Sequence, residues 1–282
     1  MFISAAINKY IYITLQKSPY NSSINLRYSQ IEDINSVDEI KHDIIRETFR
    51  YAHIGRGTAL TSHADIPSGT GLGSSGSFGV GVLHSIYPNY SPEGLAALAT
   101  KIQKDILGYP IGIQDQYVAA YGGINVYTIE QDYEITISPL AVNRYLFREK
   151  LVMFYTGVKR EANHILASSG SEGLQEVQNI AYRAKEALQT DFVANYDAYG
   201  ASLDEHWEHK KKRHPEMSTP EIDALYKLGK ENGALGGKLI GAGGGGFLLF
   251  YTNEREKLIK AMPLRHEPFD WDMTGSKIIY YD

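Results

Sequence analysis

The 282 residues include 28 Lys and Arg against 33 Asp and Glu, with 43% hydrophobic and 22% charged residues, a globular composition that excludes wholesale disorder and suits one large or two ordinary domains. The absence of cysteine excludes disulfides, thiolate metal centres, iron–sulfur clusters and a cysteine nucleophile, and the net charge of −5 with a pI near 6.0 argues against a nucleic-acid partner. No apolar run reaches the roughly 18 residues of a membrane helix, and Asn8 and Lys9 interrupt the apolar N-terminus, so the expectation is a cytoplasmic protein with no membrane partner.

The first element reads as a strand, with Ile7, Ile11, Ile13 and Leu15 on one face and polar residues or tyrosine on the other. Residues 17–37 are polar and turn-rich. Ile40, Ile44, Ile45 and Phe49 have helical spacing, which predicts a helix from Val37 to Tyr51. A strand is expected near Thr58 to Ile66. Pro67 to Gly73 is a glycine-rich loop, and Ser74 or Ser75 is the expected cap of a helix carrying Phe78, Val82, Leu83 and Ile86. Gly76, Gly79 and Gly81 lie in that helix, where each costs about 1 kcal/mol against alanine; close backbone approach is their expected use. Ser91-Pro92-Glu93 is a helix start, with Gly108 as its stop. Gln114 to Tyr121 reads as a short helix closed by Gly122, followed by strands at 124–129 and 133–138.

Pro139 to Lys150 is the expected boundary between an N-terminal domain over 1–145 and a C-terminal domain over 146–282. The second half opens with the strand Leu151 to Tyr155, then helices at 159–168, 172–188 and 191–213. Its basic run, Lys210 to His214, reads as a solvated helix end. Ser218-Thr219-Pro220-Glu221 starts another helix, ending near Gly233. A second glycine loop spans 241–246, before a strand over Phe247 to Tyr251 and a last one near Ser276 to Tyr281. The mixture of strands and helices defines an α+β class.

Two stretches carry chemistry. Between Pro67 and Ser75, a glycine-rich loop entering a helix can aim several backbone N–H groups at one anion, helped by the helix dipole. Gly71-x-Gly73-x-x-Gly76 formally matches a dinucleotide fingerprint, but no βαβ unit accompanies it. No Gly-Lys-Ser/Thr follows, which excludes a Walker loop, and no His-Arg-Asp or Asp-Phe-Gly exists, which excludes a protein kinase. A plain turn between strand and helix stays open. Asp115, in Gly112-Ile113-Gln114-Asp115-Gln116, is by itself either a helix cap or an acid–base group.

The nine residues Pro-x-x-x-Gly-Leu-Gly-Ser-Ser over 67–75 resemble the phosphate loop of the GHMP kinases, which include galactokinase, homoserine kinase and mevalonate kinase. Gly112 to Gln116 resembles the family's acidic stretch, and Gly241 to Phe247 its third motif. Gln114 to Tyr117, Phe154 to Gly157, His206-Trp207-x-x-Lys210-Lys211 and Gly233 to Leu239 resemble the branch that phosphorylates D-glycero-D-manno-heptose 7-phosphate. The resemblance implies a two-domain fold, with an N-terminal domain like ribosomal protein S5 domain 2 and a ferredoxin-like C-terminal domain. It implies ATP and Mg²⁺ as cofactors and a sugar-phosphate substrate, phosphorylated at its anomeric hydroxyl; a homodimer is left open. It assigns Gly69, Thr70, Gly71, Leu72, Gly73, Ser74 and Ser75 to the ATP phosphates and Asp115 to the substrate hydroxyl. Arg160, Gly243, Gly244 and Gly245 would contact the sugar phosphate, and Ser75 the metal. Two departures accompany it. The family opens with a strand and a Gly-Gly-Gly-Thr-Asp-like segment that this sequence lacks, so a first strand is expected to be missing. The family's Glu metal ligand, twelve residues before the catalytic acid, is here the neutral Gln103. A binding remnant without turnover is therefore the alternative reading.

Overall fold

The structure, a computed structural model, describes residues 1–130, 134–158, 173–189 and 195–281. These form two compact units that interleave along the chain, whereas the sequence reading divides it linearly at 145/146. The first unit takes Met1–Asn8, Ser68–Leu72 and Gly123–Trp271; the second takes Lys9–Pro67, Gly73–Gly122 and Asp272–Asp282.

In the second unit, β2 (Ile11–Lys17), β3 (Ile24–Arg27), β4 (Ile31–Ile34) and β5 (Thr58–Ala64) form one sheet ordered β2-β5-β3-β4, in which only β3 and β5 run parallel. Along β2, Ile11, Ile13 and Leu15 turn inward while Tyr12 and Thr14 are exposed, as the alternation predicts. The β3–β4 hairpin lies in the stretch read as turn-rich. Its strands have four residues each, and Ile24 and Leu26 are fully buried at alternate positions. The helix expected from Val37 is broken: a single tight turn covers Val37–Glu39, and α1 is Asp43–Tyr51. Ile44, Ile45 and Phe49 of α1 join Leu60, Phe78 and Val82 in one core. Next come α2 (Ser74–Ile86) and α3 (Pro92–Thr100), the latter capped by Ser91 as expected. A wider helical turn, Lys101–Ile106, carries the chain to Gly108, and α4 (Gln114–Tyr121) ends at Gly122.

The first unit holds two antiparallel sheets. One is β1-β6-β7, from β1 (Phe2–Ala5), β6 (Ile124–Ile129) and β7 (Ile135–Pro139). β1 pairs with β6, while Ile7 makes only an isolated bridge to Trp271, so the single opening strand expected through Ile7 is two strands. α5 (Arg144–Glu149), capped by Asn143, occupies the expected linker. The other sheet is β11-β8-β10-β9, from β8 (Leu151–Tyr155), β9 (Ala234–Leu239), β10 (Phe247–Thr252) and β11 (Arg265–His266). Around it lie α6 (Leu174–Leu188), α7 (Tyr196–Lys212), α8 (Pro220–Glu231) and α9 (Arg255–Ala261). The helix expected at 159–168 falls outside the described residues. No strand forms at Ser276 to Tyr281, where Ile279, Tyr280 and Tyr281 are exposed; the closing strand is β11. The α+β class holds.

Val152, Phe154, Trp207, Tyr226, Leu248 and Phe250 fill this unit's core. Phe250 is fully buried, its ring centroid 5.4 Å from that of Tyr226 and 6.2 Å from that of Phe154. Phe250→Ala leaves a cavity there and is expected to cost about 3–5 kcal/mol, read as a lower midpoint in chemical denaturation.

Candidate functional site

The first glycine loop is shared between the units, Ser68–Leu72 in the first and Gly73 onward in the second. In the first unit it lies backbone-to-backbone against the second glycine loop. A Cβ on Gly71 would stand 2.5 Å from the Ile240 carbonyl oxygen; one on Gly241 would strike the Gly71 backbone, and one on Gly246 the Thr70 carbonyl. Thr70 is fully buried by this approach. The second loop is fixed in turn. Gly244 N–H donates to the Met217 carbonyl over 3.1 Å, and Gly246 N–H to that of Val158 over 2.9 Å, while the Gly246 carbonyl accepts from both the N–H and the hydroxyl of Thr156. Gly243, Gly244 and Gly245 are all buried.

In the second unit the loop enters α2. The N-cap is Gly73 in the left-handed region, φ 71°, rather than either serine, and no side chain caps the helix. A left-handed backbone favours glycine, and an uncapped first turn leaves its N–H groups to an external acceptor. Packed on this turn is the start of α4. A Cβ on Gly76 would stand 2.7 Å from that of Asp115, and one on Gly73 would stand 3.1 Å from the Asp115 carboxyl carbon. The helical glycines thus serve close approach, as their cost suggests.

Asp115 does not cap α4, whose N-cap is Ile113 with no side-chain bond. Its side chain reaches solvent, yet the protein around it pushes its carboxyl above the usual carboxylate range by desolvation. An ionisable carboxyl poised beside the amides of a helix start suits proton acceptance next to a bound anion.

Gln103, on the wide turn after α3, is fully buried. Its carbonyl accepts from the Ser75 hydroxyl over 3.3 Å and from the Gln116 amide over 3.1 Å, and its own NH₂ donates to the Ser75 carbonyl over 3.3 Å. Gly79 makes room for it, since a Cβ there would overlap the Gln103 amide nitrogen. The structure brings Ser75 and Gln103 together, as the metal reading requires, but as a hydrogen-bond bridge from the exposed Ser75 to the buried Gln103 and Gln116. Both acceptor sites of the Gln103 oxygen are taken, so Gln103 does not fit Mg²⁺ as arranged, whereas the exposed Ser75 hydroxyl spends only its proton on this bridge. Among the described residues no group of three or more His, Asp or Glu could hold a metal ion.

Arg160 lies outside the described residues. Sequence reasoning missed Gln116, whose buried amide completes the bridge and whose own oxygen has no partner. It also took Lys210 for part of a solvated helix end. Lys211 does pair with Glu208 over 2.7 Å, but the Lys210 ammonium donates to the carbonyls of Leu239, over 3.0 Å, and Gly241, at the mouth of the second loop.

In the second unit, a glycine loop running into an uncapped helix with a carboxyl beside it is an arrangement suited to holding an anion. The family model of the GHMP kinases N terminal domain matches residues 40–123, and that of the GHMP kinases C terminal domain matches residues 184–266. The chain belongs to the GHMP kinase family. It is 34% identical over 221 residues to the D-glycero-alpha-D-manno-heptose 7-phosphate kinase of Campylobacter jejuni, covering 72% of this chain but 64% of that protein. The crystal structure of a D-glycero-D-manno-heptose 1-phosphate kinase from Bacteroides thetaiotaomicron superposes with a TM-score of 0.74 at 23% identity, over 99% of this chain and 90% of that one. The phosphomevalonate kinase of Streptococcus pneumoniae, solved with phosphomevalonate and AMPPNP, gives 0.73 at 15% identity, over 93% and 90%. These two likenesses establish the fold. No helix among the described residues is long and apolar enough to cross a membrane.

Gln103→Glu replaces the amide that donates to the Ser75 carbonyl and buries a carboxyl without a cation. The variant is expected to lose about 1–3 kcal/mol of stability at neutral pH. Burial raises that carboxyl's folded pKa above its unfolded value, so the loss should fade as pH falls through the folded pKa and grow as pH rises. Thermal melts across pH, with and without added Mg²⁺, read the effect; stabilisation by Mg²⁺ would return residue 103 to the metal.

Proposed function

We propose that this chain is an ATP-dependent kinase that phosphorylates a sugar phosphate, D-glycero-D-manno-heptose 7-phosphate, at its anomeric hydroxyl. The reading is carried by the Asp115 carboxyl lying against the Gly73–Gly76 turn at the start of α2. The relative from Campylobacter jejuni supports the sugar, and the neighbour solved with AMPPNP supports the nucleotide. Gly69 to Ser75 would hold the ATP phosphates mainly through backbone N–H groups. Asp115 would orient the sugar hydroxyl and accept its proton while the hydroxyl oxygen bonds to the γ-phosphorus; the bond to the bridging oxygen breaks and ADP leaves. The Ser75–Gln103–Gln116 bridge would keep the first turn of α2 in register with α4. Mg²⁺ is not placed on Gln103 in this reading. A second reading, a nucleotide- or sugar-binding protein without turnover, is favoured by the neutral amide of Gln103 where the resembled family has a carboxylate.

A coupled ADP-release assay with heptose 7-phosphate decides between them; ATP binding with no sugar-dependent ADP release selects the second. Asp115→Asn is expected to retain ATP affinity while phosphoryl transfer falls about 100-fold or more. Equal turnover would remove Asp115 from the chemistry. The base must be ionised, so kcat/KM should fall on the acid side, with its midpoint above the ordinary aspartate value of about 3.9.

Gly73→Val places a branched side chain at φ 71° and against the Asp115 carboxyl. It is expected to abolish ATP binding in calorimetry. Unchanged affinity would take the phosphates away from this loop.

A further inference from the structure

Asp115 has little of its own to hold it in place. Its carboxyl takes part in no hydrogen bond or ion pair among the described residues. α4 begins without a side-chain cap, and the approach to it holds Gly108 and Gly112, where an added Cβ would meet nothing within 4 Å. On the α2 side, Asp115 packs on Gly73 and Gly76. Helices interlock through ridges of side chains, and a glycine surface has none. It admits a close approach without fixing how far along α2 the acid stands.

The next residue supplies the fixed point. Gln116 is 1% exposed, and its NH₂ donates to the Gln103 side-chain oxygen over 3.1 Å. Gln103 is held at both ends in turn: its NH₂ donates to the Ser75 carbonyl over 3.3 Å, and its oxygen accepts from the Ser75 hydroxyl over 3.3 Å. Ser75 lies between the two glycines on which Asp115 packs. These bonds are directional, so they tie the start of α4 to one position on α2. The wide turn Lys101–Ile106 presents Gln103, and it closes where the Leu107 N–H donates to the Ile102 carbonyl over 3.0 Å. Such turns are rare and occur mostly at functional sites. The arrangement also weighs against stability. The Gln116 oxygen is buried without a partner, a penalty that an apolar side chain of the same shape would avoid. A side chain kept at a loss to the fold points to a use outside it.

We propose that Gln116 is a positioning residue: through its bond to Gln103 it sets where the Asp115 carboxyl stands along the first turn of α2. This rests on the kinase reading, in which Asp115 accepts the proton of the sugar hydroxyl, and deepens it. The acid is placed by its own sequence neighbour, and Gln103 serves α4 rather than a metal ion. Misplacing a reacting group by about 1 Å can cost on the order of 100-fold in rate, so one amide bond at this point is able to control the transfer step.

Gln116→Met keeps an unbranched side chain of similar length and removes both polar atoms. Its kcat with D-glycero-D-manno-heptose 7-phosphate is expected to fall about tenfold or more while KM for ATP stays at the wild-type value. Its melting temperature should be no lower than that of the wild type, because the unmet oxygen is gone. Added to Asp115→Asn, it should slow transfer no further, since nothing is left to position. Wild-type kcat in Gln116→Met, losses that multiply in the double variant, or a marked fall in melting temperature overturns the proposal. Gln103→Met breaks the same bond from the other side and decides by the kinetic criteria if Gln116→Met does not fold. A readout without turnover is the titration of the Asp115 carboxyl, followed by NMR and assigned by its absence in Asp115→Asn. Loosened from the glycine turn, the carboxyl meets more water, so its midpoint in Gln116→Met should move down toward the ordinary value of about 3.9, and an unchanged midpoint overturns the proposal. Failure of the kinase reading has a different signature: the wild type releases no ADP, while the Asp115 midpoint still moves.

Discussion

Two glycine loops meet with almost no side chains between them, and this contact sets the arrangement of the first unit. Gly71 lies against Ile240 and Gly241, and Gly246 against Thr70, at distances that admit only hydrogen on the α-carbon. β9 and β10 lead into and out of the second loop, so their register, with Leu248 opposite Leu239, is fixed where the loop closes. Thr156 at the end of β8 ties to the Gly246 carbonyl, and Lys210 on α7 to that of Gly241. A substitution at Gly241 or Gly246 would therefore be felt in three strands and a helix before any ligand was considered.

The second unit is organised around a different constraint, the accommodation of polar groups without charge. The buried Gln103 and Gln116 exchange a hydrogen bond and reach out to Ser75 at the surface, and Gly79 supplies the space. Amides suit this position because each offers both donors and an acceptor and carries no ionic desolvation cost. A carboxylate at position 103 would need a cation beside it to be tolerated at neutral pH. The neutral residue and the closed network therefore explain one another.

Much of the site was legible because its residues have few other uses. Glycines inside a helix and a glycine run between two apolar strands each conflict with the cheapest local sequence, and each proved to sit at a close approach; Asp115, at a helix start where an acid is ordinary, was legible only through the family resemblance. The helix start was misread by one or two residues, since Ser74 and Ser75 are good caps and only the backbone angle of Gly73 displaces them. The β3–β4 hairpin was hidden by its shortness and by the Asn and Ser residues around Asn21 that resemble a loop. The apolar run Ile278 to Tyr281 looked like a strand, but a strand needs a partner edge and none of the described strands pairs with it. α9 buries only Leu258, too little periodicity to read. The role of Lys210 depended on β9 lying beside α7, a tertiary fact without a local signature.

Asp115 and Gln103 illustrate how neighbouring groups on one scaffold are held in opposite states. Both pack on the first two turns of α2, one at Gly73 and Gly76 and the other at Ser75 and Gly79. The dipole of α2 favours a negative charge at its start, whereas the protein around Asp115 disfavours one. Desolvation prevails there and raises the carboxyl, but contact with solvent leaves the ionised form accessible, so the group can gain and lose a proton. Gln103, one helical turn further in, has no solvent and no cation, and an ionisable group there would be held in one form or unfold its surroundings. The boundary between a titrating side chain and a fixed one thus falls between Gly76 and Gly79, within a single turn of helix.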